Sequence, residues 1–373
     1  MISIVLCAAN ANANANANAN ANANANANAN VSKAALGALI FNDQHLSEPQ
    51  GQSCASCHQL NDGGAHSNIS VSRGANTALF GNRNAPSITY STFTVPWHFN
   101  DEDGTSMGGY FLDGRAKTML EQAKVPFLNP LEMGNHAPEQ VVKKVKNGQY
   151  RRLFESVYGK TIWQNHTLAF DAIADALVTY QASDTFADRF TSKYDAYLQG
   201  RIELTAQELH GLTLYEAQDK GNCAACHPNQ KLENGGLPLF TDFSYDNLGV
   251  PKNKDLPFYN MPAKYNPLGK FYIDKGLAEN PHITEVKIQL GKFKVPTLRN
   301  IAKTAPYMHN GVFTTLKEVV EFYNSRDVNA KWAKPEMTEN MNTEELGDLK
   351  LTEQEIDDLV SFLQTLDDGF MTY

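Results

Sequence analysis

What this 373-residue chain lacks narrows the choices first. It has no surplus of basic residues: 32 Lys and Arg stand against 41 Asp and Glu, a formal charge of −9, so no positive footprint for a phosphate backbone is present. Nucleic acid is not an expected partner. It has no apolar run of about 18 residues, so no membrane-spanning helix is expected. It is poor in cysteine, with only five, too few for a disulfide framework to hold a chain of this length. What is present is a globular composition, 42% hydrophobic and long enough for about two ordinary domains.

The N-terminal stretch is different in kind. Ala-Asn dipeptides run from Ala9 to Asn30, and asparagine alternating with alanine supplies too little apolar area to offset the entropy of ordering, so 8–30 reads as a low-complexity tether. The apolar segment Ile2–Ala9 is short for a secretion signal and has no basic flank, which makes 1–30 a truncated or atypical signal plus tether. Cys7 suggests a lipid anchor, but Leu6 stands where a small residue is needed, and the anchor is not adopted.

Four of the five cysteines form two Cys-x-x-Cys pairs, each followed at once by histidine: Cys54-Ala55-Ser56-Cys57-His58 and Cys223-Ala224-Ala225-Cys226-His227. This is the attachment signature of c-type haem, in which two thioethers tether the porphyrin and the adjacent histidine meets the iron. Two covalent haems follow, with His58 and His227 as proximal ligands. The competing reading is a pair of zinc half-sites sharing four cysteines. Haem c is attached outside the cytoplasm, so a periplasmic or otherwise extracytoplasmic location is expected.

The chain also repeats itself around the motifs. An apolar helix face at 34–41 leads into the first, and Glu208–Tyr215, opened by the Thr205/Glu208 capping box, leads into the second. Further helices are expected near Glu139–Lys146 and Asp171–Tyr180, and a last one opens at Thr352 with Glu355 and buries Ile356, Leu359, Val360 and Leu363. Long Gly-, Pro- and Asn-rich stretches at 60–110, 228–270 and 325–345 exceed what a self-packed chain needs, but suit one wrapped around large cofactors. The expected fold is mainly α: two cytochrome c-like domains, 31–195 and 196–373, each enclosing one haem, with the last helix free to pack on the N-terminal domain.

Beyond these motifs, the blocks Arg83-Asn84-Ala85-Pro86-Ser87, Phe111-Leu112-Asp113-Gly114-Arg115-Ala116, Gln122-Ala123, Pro130-Leu131-Glu132-Met133 and Leu298–Tyr307 stand in order along 31–373. In these the chain resembles the bacterial dihaem cytochrome c peroxidases and their MauG-type relatives. The resemblance implies that the first haem reacts with hydrogen peroxide and the second passes electrons to it. It further implies that Glu132 is the distal acid and base, with Gln122 as its companion, and that Asn84, Thr304 and Pro306 hold a calcium ion between the haems. Oxygen-only ligation suits calcium. Heterolysis of a peroxide needs a proton moved between its oxygens, which a carboxylate near the iron can do; His66 and His98 compete for that task but fall on no family position.

Three departures from the pattern matter. The loop 71–81, where many peroxidases carry a histidine that caps the resting first iron, has none, so an open first haem is expected. Tyr323 stands where peroxidases place a methionine on the second iron and MauG-type proteins a tyrosine, with Met308 as the rival ligand. A phenolate stabilises ferric and higher states where a thioether stabilises ferrous iron. Third, Leu112 replaces the tryptophan relay between the haems, leaving Tyr110 or Trp97 to take over or the exchange to slow. The leading expectation is a peroxidase drawing electrons from a small cytochrome or copper protein. A MauG-like enzyme, using a high-valent dihaem state to oxidise aromatic residues of a partner protein, and a non-catalytic dihaem electron carrier are the alternatives. A homodimer is open.

Overall fold

The computed structural model describes residues 29–371 except 103, 233 and 234. The signal, the lipid-anchor question at Cys7 and almost all of the Ala-Asn tether lie outside the described residues.

The first half is built on α1, helical through 29–42, α2 (Met119–Leu128), α3 (Pro138–Asn147), α4 (Arg151–Tyr158) and α5 (His166–Ala182). Each helix turns one stripe inward. Leu36 and Ile40 of α1, Phe127 of α2, Val141 and Val145 of α3 and Ile173 of α5 share one core. Gly37 decides how α1 and α5 cross, because any Cβ there would overlap the Ala176 carbonyl and come within 2.6 Å of Tyr180 Cβ.

The second half repeats this plan. After α6 (Lys193–Leu198), α7 (Ala206–Glu216) precedes the second Cys-x-x-Cys-His, and α8 (Leu316–Ser325) and α9 (Glu353–Gln364) close the body. Both expected capping boxes form: Thr205 accepts from the Glu208 amide and Thr352 from the Glu355 amide, each at 3.2 Å. Gly211 of α7 meets α9 as Gly37 meets α5, its position closed by the Asp358 carbonyl and by Phe362 Cβ at 2.8 Å. Leu212, Tyr215, Leu359 and Phe362 fill the core that results.

The last helix therefore does not pack on the N-terminal domain, as was open from the sequence; its apolar stripe is matched by α7 and α8 of its own half. Only the residues just past it reach across, where Tyr90 donates to the Asp368 carboxylate at 2.9 Å. The chain crosses the seam between the halves, from the first core, which Ala187 still joins, to the second, before Tyr194. Tyr194 already packs in the second core, and Asp195 forms a fully buried ion pair with Arg299 at 2.6 Å.

The long irregular stretches carry short helical turns and two antiparallel ribbons, β1 (His98–Asn100) with β2 (Thr105–Met107) and β3 (Tyr245–Asp246) with β4 (Phe293–Lys294). These loops stitch the halves together: Lys294 donates its amide to Leu112 O at 2.9 Å, Asn84 to His309 O at 2.7 Å and Asn68 to Ala305 O at 2.8 Å. Among the described residues no helix is long and apolar enough to cross a membrane.

Candidate dihaem site

A continuous cavity of about 780 Å³ runs through the seam and is lined by both haem motifs. In each motif one helical turn brings the two cysteines and the histidine to the wall, the first turn starting behind Ser53, whose amide donates to Ser56 Oγ at 3.0 Å. His58 Nδ1 lies 3.1 Å from Gly64 O and His227 Nδ1 lies 2.8 Å from Phe240 O. Burial holds both imidazoles below their ordinary pKa, so each is neutral, gives its Nδ1 proton to a carbonyl and keeps an Nε2 lone pair for a metal. Burial pushes the Cys54, Cys223 and Cys226 thiols up to about 12, and all four motif cysteines are free of disulfides. Among the described residues no group of three or more His, Cys, Asp or Glu is placed to hold a metal, so the two pairs do not make one zinc centre. Free thiols, a polarised histidine and a large cavity at each motif fit two thioether-bound haems.

Beyond the first motif the wall is formed by α2 and the turn that follows it. Gln122, Ala123 and Pro126 of α2 face the cavity, and the chain then reverses at Asn129 to bring Glu132 onto the same wall. Glu132 is set deep among protein atoms, and burial raises its pKa. Two things oppose the rise: Asn129 Nδ2 donates to Glu132 Oε1 at 2.8 Å, and the Arg115 guanidinium is near. Asn129 is itself fixed, its Oδ1 accepting from the Leu131 amide at 3.0 Å. Sequence reasoning missed Asn129, although an asparagine three residues before the candidate acid–base carboxylate, at a helix end, was the available signal.

The loop 71–81 folds as a small hairpin, Arg73 bridging Phe80, and lies against Glu132: Ala75 donates its amide to Glu132 O at 2.7 Å. Ser72, Arg73 and Gly81 reach the cavity from it. Neither rival histidine does. His66 pairs with Ser72 Oγ at 2.9 Å and His98 is exposed.

On the second side Tyr323 of α8 and Met308 both line the cavity, so the structure brings both candidate ligands to the wall. Burial raises the Tyr323 phenol well above its ordinary pKa. Asn84, Thr304 and Pro306 also share the wall, Asn84 Nδ2 donating to Ile69 O and Ser70 O at 3.2 Å each. Of the relay candidates, Tyr110 lies on the wall, as does Leu112 at the relay position, while Trp97 lies off it beside His282 and Lys117.

A buried ion network that sequence reasoning did not foresee ties the wall together. Arg83 donates to Asp113 at 2.6 Å and to both Asp274 oxygens at 2.6 and 2.7 Å, joining segments 191 residues apart. Nearby, burial lowers the Lys294 pKa to about 8, against the pull of Asp113.

Comparison with known proteins agrees with this geometry. The family model described as di-haem cytochrome c peroxidase matches residues 31–203, and the cytochrome c model matches 208–367. The methylamine utilization protein MauG of Paracoccus denitrificans is 37% identical over 353 residues, covering 90% of this chain and 88% of that one. The cytochrome c551 peroxidase of Nitrosomonas europaea is 32% identical over 308 residues, covering 82% of this chain and 76% of its own. Among solved structures, the diheme peroxidase BthA of Burkholderia thailandensis superposes with a TM-score of 0.80 at 33% identity, over 90% of this chain and 86% of that one. With two cytochrome c-like bodies, each presenting a haem-attachment motif to one cavity, the chain belongs to the di-haem cytochrome c peroxidase and MauG family of peroxide-dependent oxidoreductases.

Proposed function

We propose that hydrogen peroxide is reduced at a first haem, which Cys54, Cys57 and His58 would hold, and that electrons arrive through a second, which Cys223, Cys226, His227 and Tyr323 would hold. The observation that carries this reading is Glu132, a deep-set carboxylate that lines the same cavity as His58 and is held by Asn129. Bound haem supplies an iron that accepts a peroxide oxygen and exchanges electrons. The chain supplies the proton traffic. Ionised Glu132 takes the proton from the inner oxygen of entering peroxide and returns it to the outer one as the bond breaks. Gln122 adds an amide beside it. Two electrons and two further protons complete the conversion of peroxide to two waters.

Asn84 and the carbonyls of Thr304 and Pro306 are proposed to hold calcium at the seam, with domains at 31–195 and 196–373 and an extracytoplasmic location. A small redox protein is the proposed donor. A second reading has specific support: Tyr323 at the second wall favours a MauG-like enzyme that withdraws electrons from aromatic residues of a protein substrate, while Leu112 weighs against it.

The deciding experiment adds peroxide to the ferric holoprotein with optical detection, with and without a reductant. Reaction without prior reduction is expected, together with one high-spin and one low-spin haem by electron paramagnetic resonance. Glu132→Gln should slow the reaction by roughly two to four orders of magnitude, the range of a lost general acid and base. Two low-spin haems and no reaction would leave the electron-carrier reading.

A further inference from the structure

Oxidising equivalents drawn from peroxide must go somewhere when donor electrons run short, and the first half holds a side chain placed to receive one. Phe41 and Cys54 line the cavity, and Tyr150, at the turn into α4, packs against the core that contains Phe41 and meets Cys54. Cys54 is near enough that a charge on its sulfur would be felt at the Tyr150 phenol. Tyr150 itself is half-buried, so it stands between the cavity wall and the surface.

The phenol has a line of polar groups leading outward. Its hydroxyl donates to Asp43 Oδ2 at 2.7 Å. The other Asp43 oxygen accepts from the His45 amide at 2.9 Å and lies 3.0 Å from His45 Nδ1. The Asp43 side chain is 13% exposed and that of His45 77%, so the network runs from the phenol to water.

A phenol that loses an electron becomes a strong acid, and it gives the electron up readily where a base within hydrogen-bond reach takes the proton. A carboxylate is such a base and a backbone carbonyl is not. On the cavity wall Tyr110, Tyr215 and Tyr307 each donate to a carbonyl, of Thr94, His227 and Ile301 in turn. Two other described tyrosines donate to carboxylates, in less suitable settings. Tyr158 bonds to Asp175, which Lys33 holds against protonation at 2.8 Å. Tyr90 bonds to Asp368, whose oxygens already take the Asn300 Nδ2 at 2.8 Å and the Thr191 amide at 3.1 Å.

We propose that Tyr150, with Asp43 as its proton acceptor, is a redox-active tyrosine that carries an oxidising equivalent from the first-haem site toward the surface when no donor supplies electrons. The proposal rests on the peroxidase reading. Peroxide takes two electrons on its reduction, of which Tyr150 supplies one and the haem site the other. The phenol O–H bond breaks, an O–H bond forms on Asp43 Oδ2, and a neutral phenoxyl radical remains. A small reductant at the surface, such as ascorbate, returns the electron and a proton.

The test is peroxide added to the ferric holoprotein without a donor, freeze-quenched for electron paramagnetic resonance and, in parallel, treated with a nitroso spin trap whose adduct is located by peptide mass spectrometry. A protein radical is expected, with a spectrum that narrows when tyrosine is ring-deuterated, an adduct on Tyr150 and loss of the signal on adding ascorbate. Tyr150→Phe should remove signal and adduct and lengthen the lifetime of the optical change that peroxide produces. Asp43→Asn keeps hydrogen bonding to Tyr150 and His45 and remains a good cap for the turn 44–46, but it cannot take the proton, so most of the radical should be lost. Absence of a tyrosyl radical in the unaltered protein, an adduct on another residue, or an unaltered radical yield in either variant overturns the proposal. A ferric holoprotein that shows no optical response to peroxide overturns the peroxidase reading instead.

Discussion

Replacing Asn129 by alanine isolates the control of proton transfer. The Asn129 amide donates a hydrogen bond to the Glu132 carboxylate at 2.8 Å, against a burial that raises the pKa. A hydrogen bond to a charged acceptor contributes about 1.5–3 kcal/mol, so its loss should raise the Glu132 pKa by the equivalent of that energy. Arg115 remains, which keeps the shift toward the lower end. Glu132 must be ionised to take the first proton from peroxide, so the rate falls as pH drops through its pKa. In Asn129→Ala that acid limb moves to higher pH, while the plateau at high pH changes little. The assay is stopped-flow mixing of peroxide with the oxidised holoprotein across the acid and neutral range. An inflection that stays in place, or a uniform fall at every pH, would refute the reasoning, because a merely structural lesion lowers the whole profile without displacing it.

Three further outcomes follow from the same geometry. Tyr323→Met should raise the reduction potential of the second haem in a spectroelectrochemical titration and Met308→Leu should leave it alone; the reverse pattern would make Met308 the ligand. Gly211→Ala drives a methyl into the Asp358 carbonyl, a backbone atom that cannot give way, and should cost about 1–3 kcal/mol or more in denaturant unfolding, with Gly37→Ala behaving likewise against Ala176. Asp367, raised to about 6 by burial, favours its protonated form in the folded protein, so its contribution is present below the ordinary carboxylate range and is lost as pH rises through about 6. Asp367→Asn should therefore raise the melting temperature at neutral pH and leave it unchanged in strong acid.

Much of this was legible in the sequence because it is local. Capping boxes, helix stripes and the two pentapeptides act over a few residues, and α7 and α9 form where Thr205 and Thr352 start them. Gly37 and Gly211 were visible as letters but not as crossing points, since what closes on them, Ala176 and Asp358, comes from a helix about 140 residues away, a distance no periodicity spans. The partner of the last helix was hidden for the same reason: its stripe states that it buries one face, not against which body. Arg83 stood in a recognised block, yet its role depends on Asp274, and nothing near either residue announces the other. Asn129 was the one local feature overlooked.

The seam explains how a leucine can stand at the relay position without the halves coming apart. A buried ion network is weak evidence for stability, since desolvating Arg83, Asp113 and Asp274 offsets most of what their attraction returns. Its better-founded consequence is registry, because these groups satisfy one another in a single arrangement of the two bodies. Leu112 sits inside that arrangement, its carbonyl accepting from the Lys294 amide of β4 while the Lys294 ammonium reaches the Gly109 carbonyl. The backbone between the haem motifs is thus held from both sides whatever side chain it bears. What Leu112 removes is an oxidisable ring, not the position of one, and two residues back Tyr110 still places a ring on the same cavity wall, its hydroxyl donating to Thr94 O at 3.3 Å. An oxidised phenol is a strong acid, so losing an electron requires losing its proton as well, and Thr94 O is a carbonyl that accepts a hydrogen bond but not a proton. A relay through Tyr110 would therefore need another group to take its proton, which supports the proposed reading of peroxide reduction by donor electrons over one that stores oxidising equivalents across both haems.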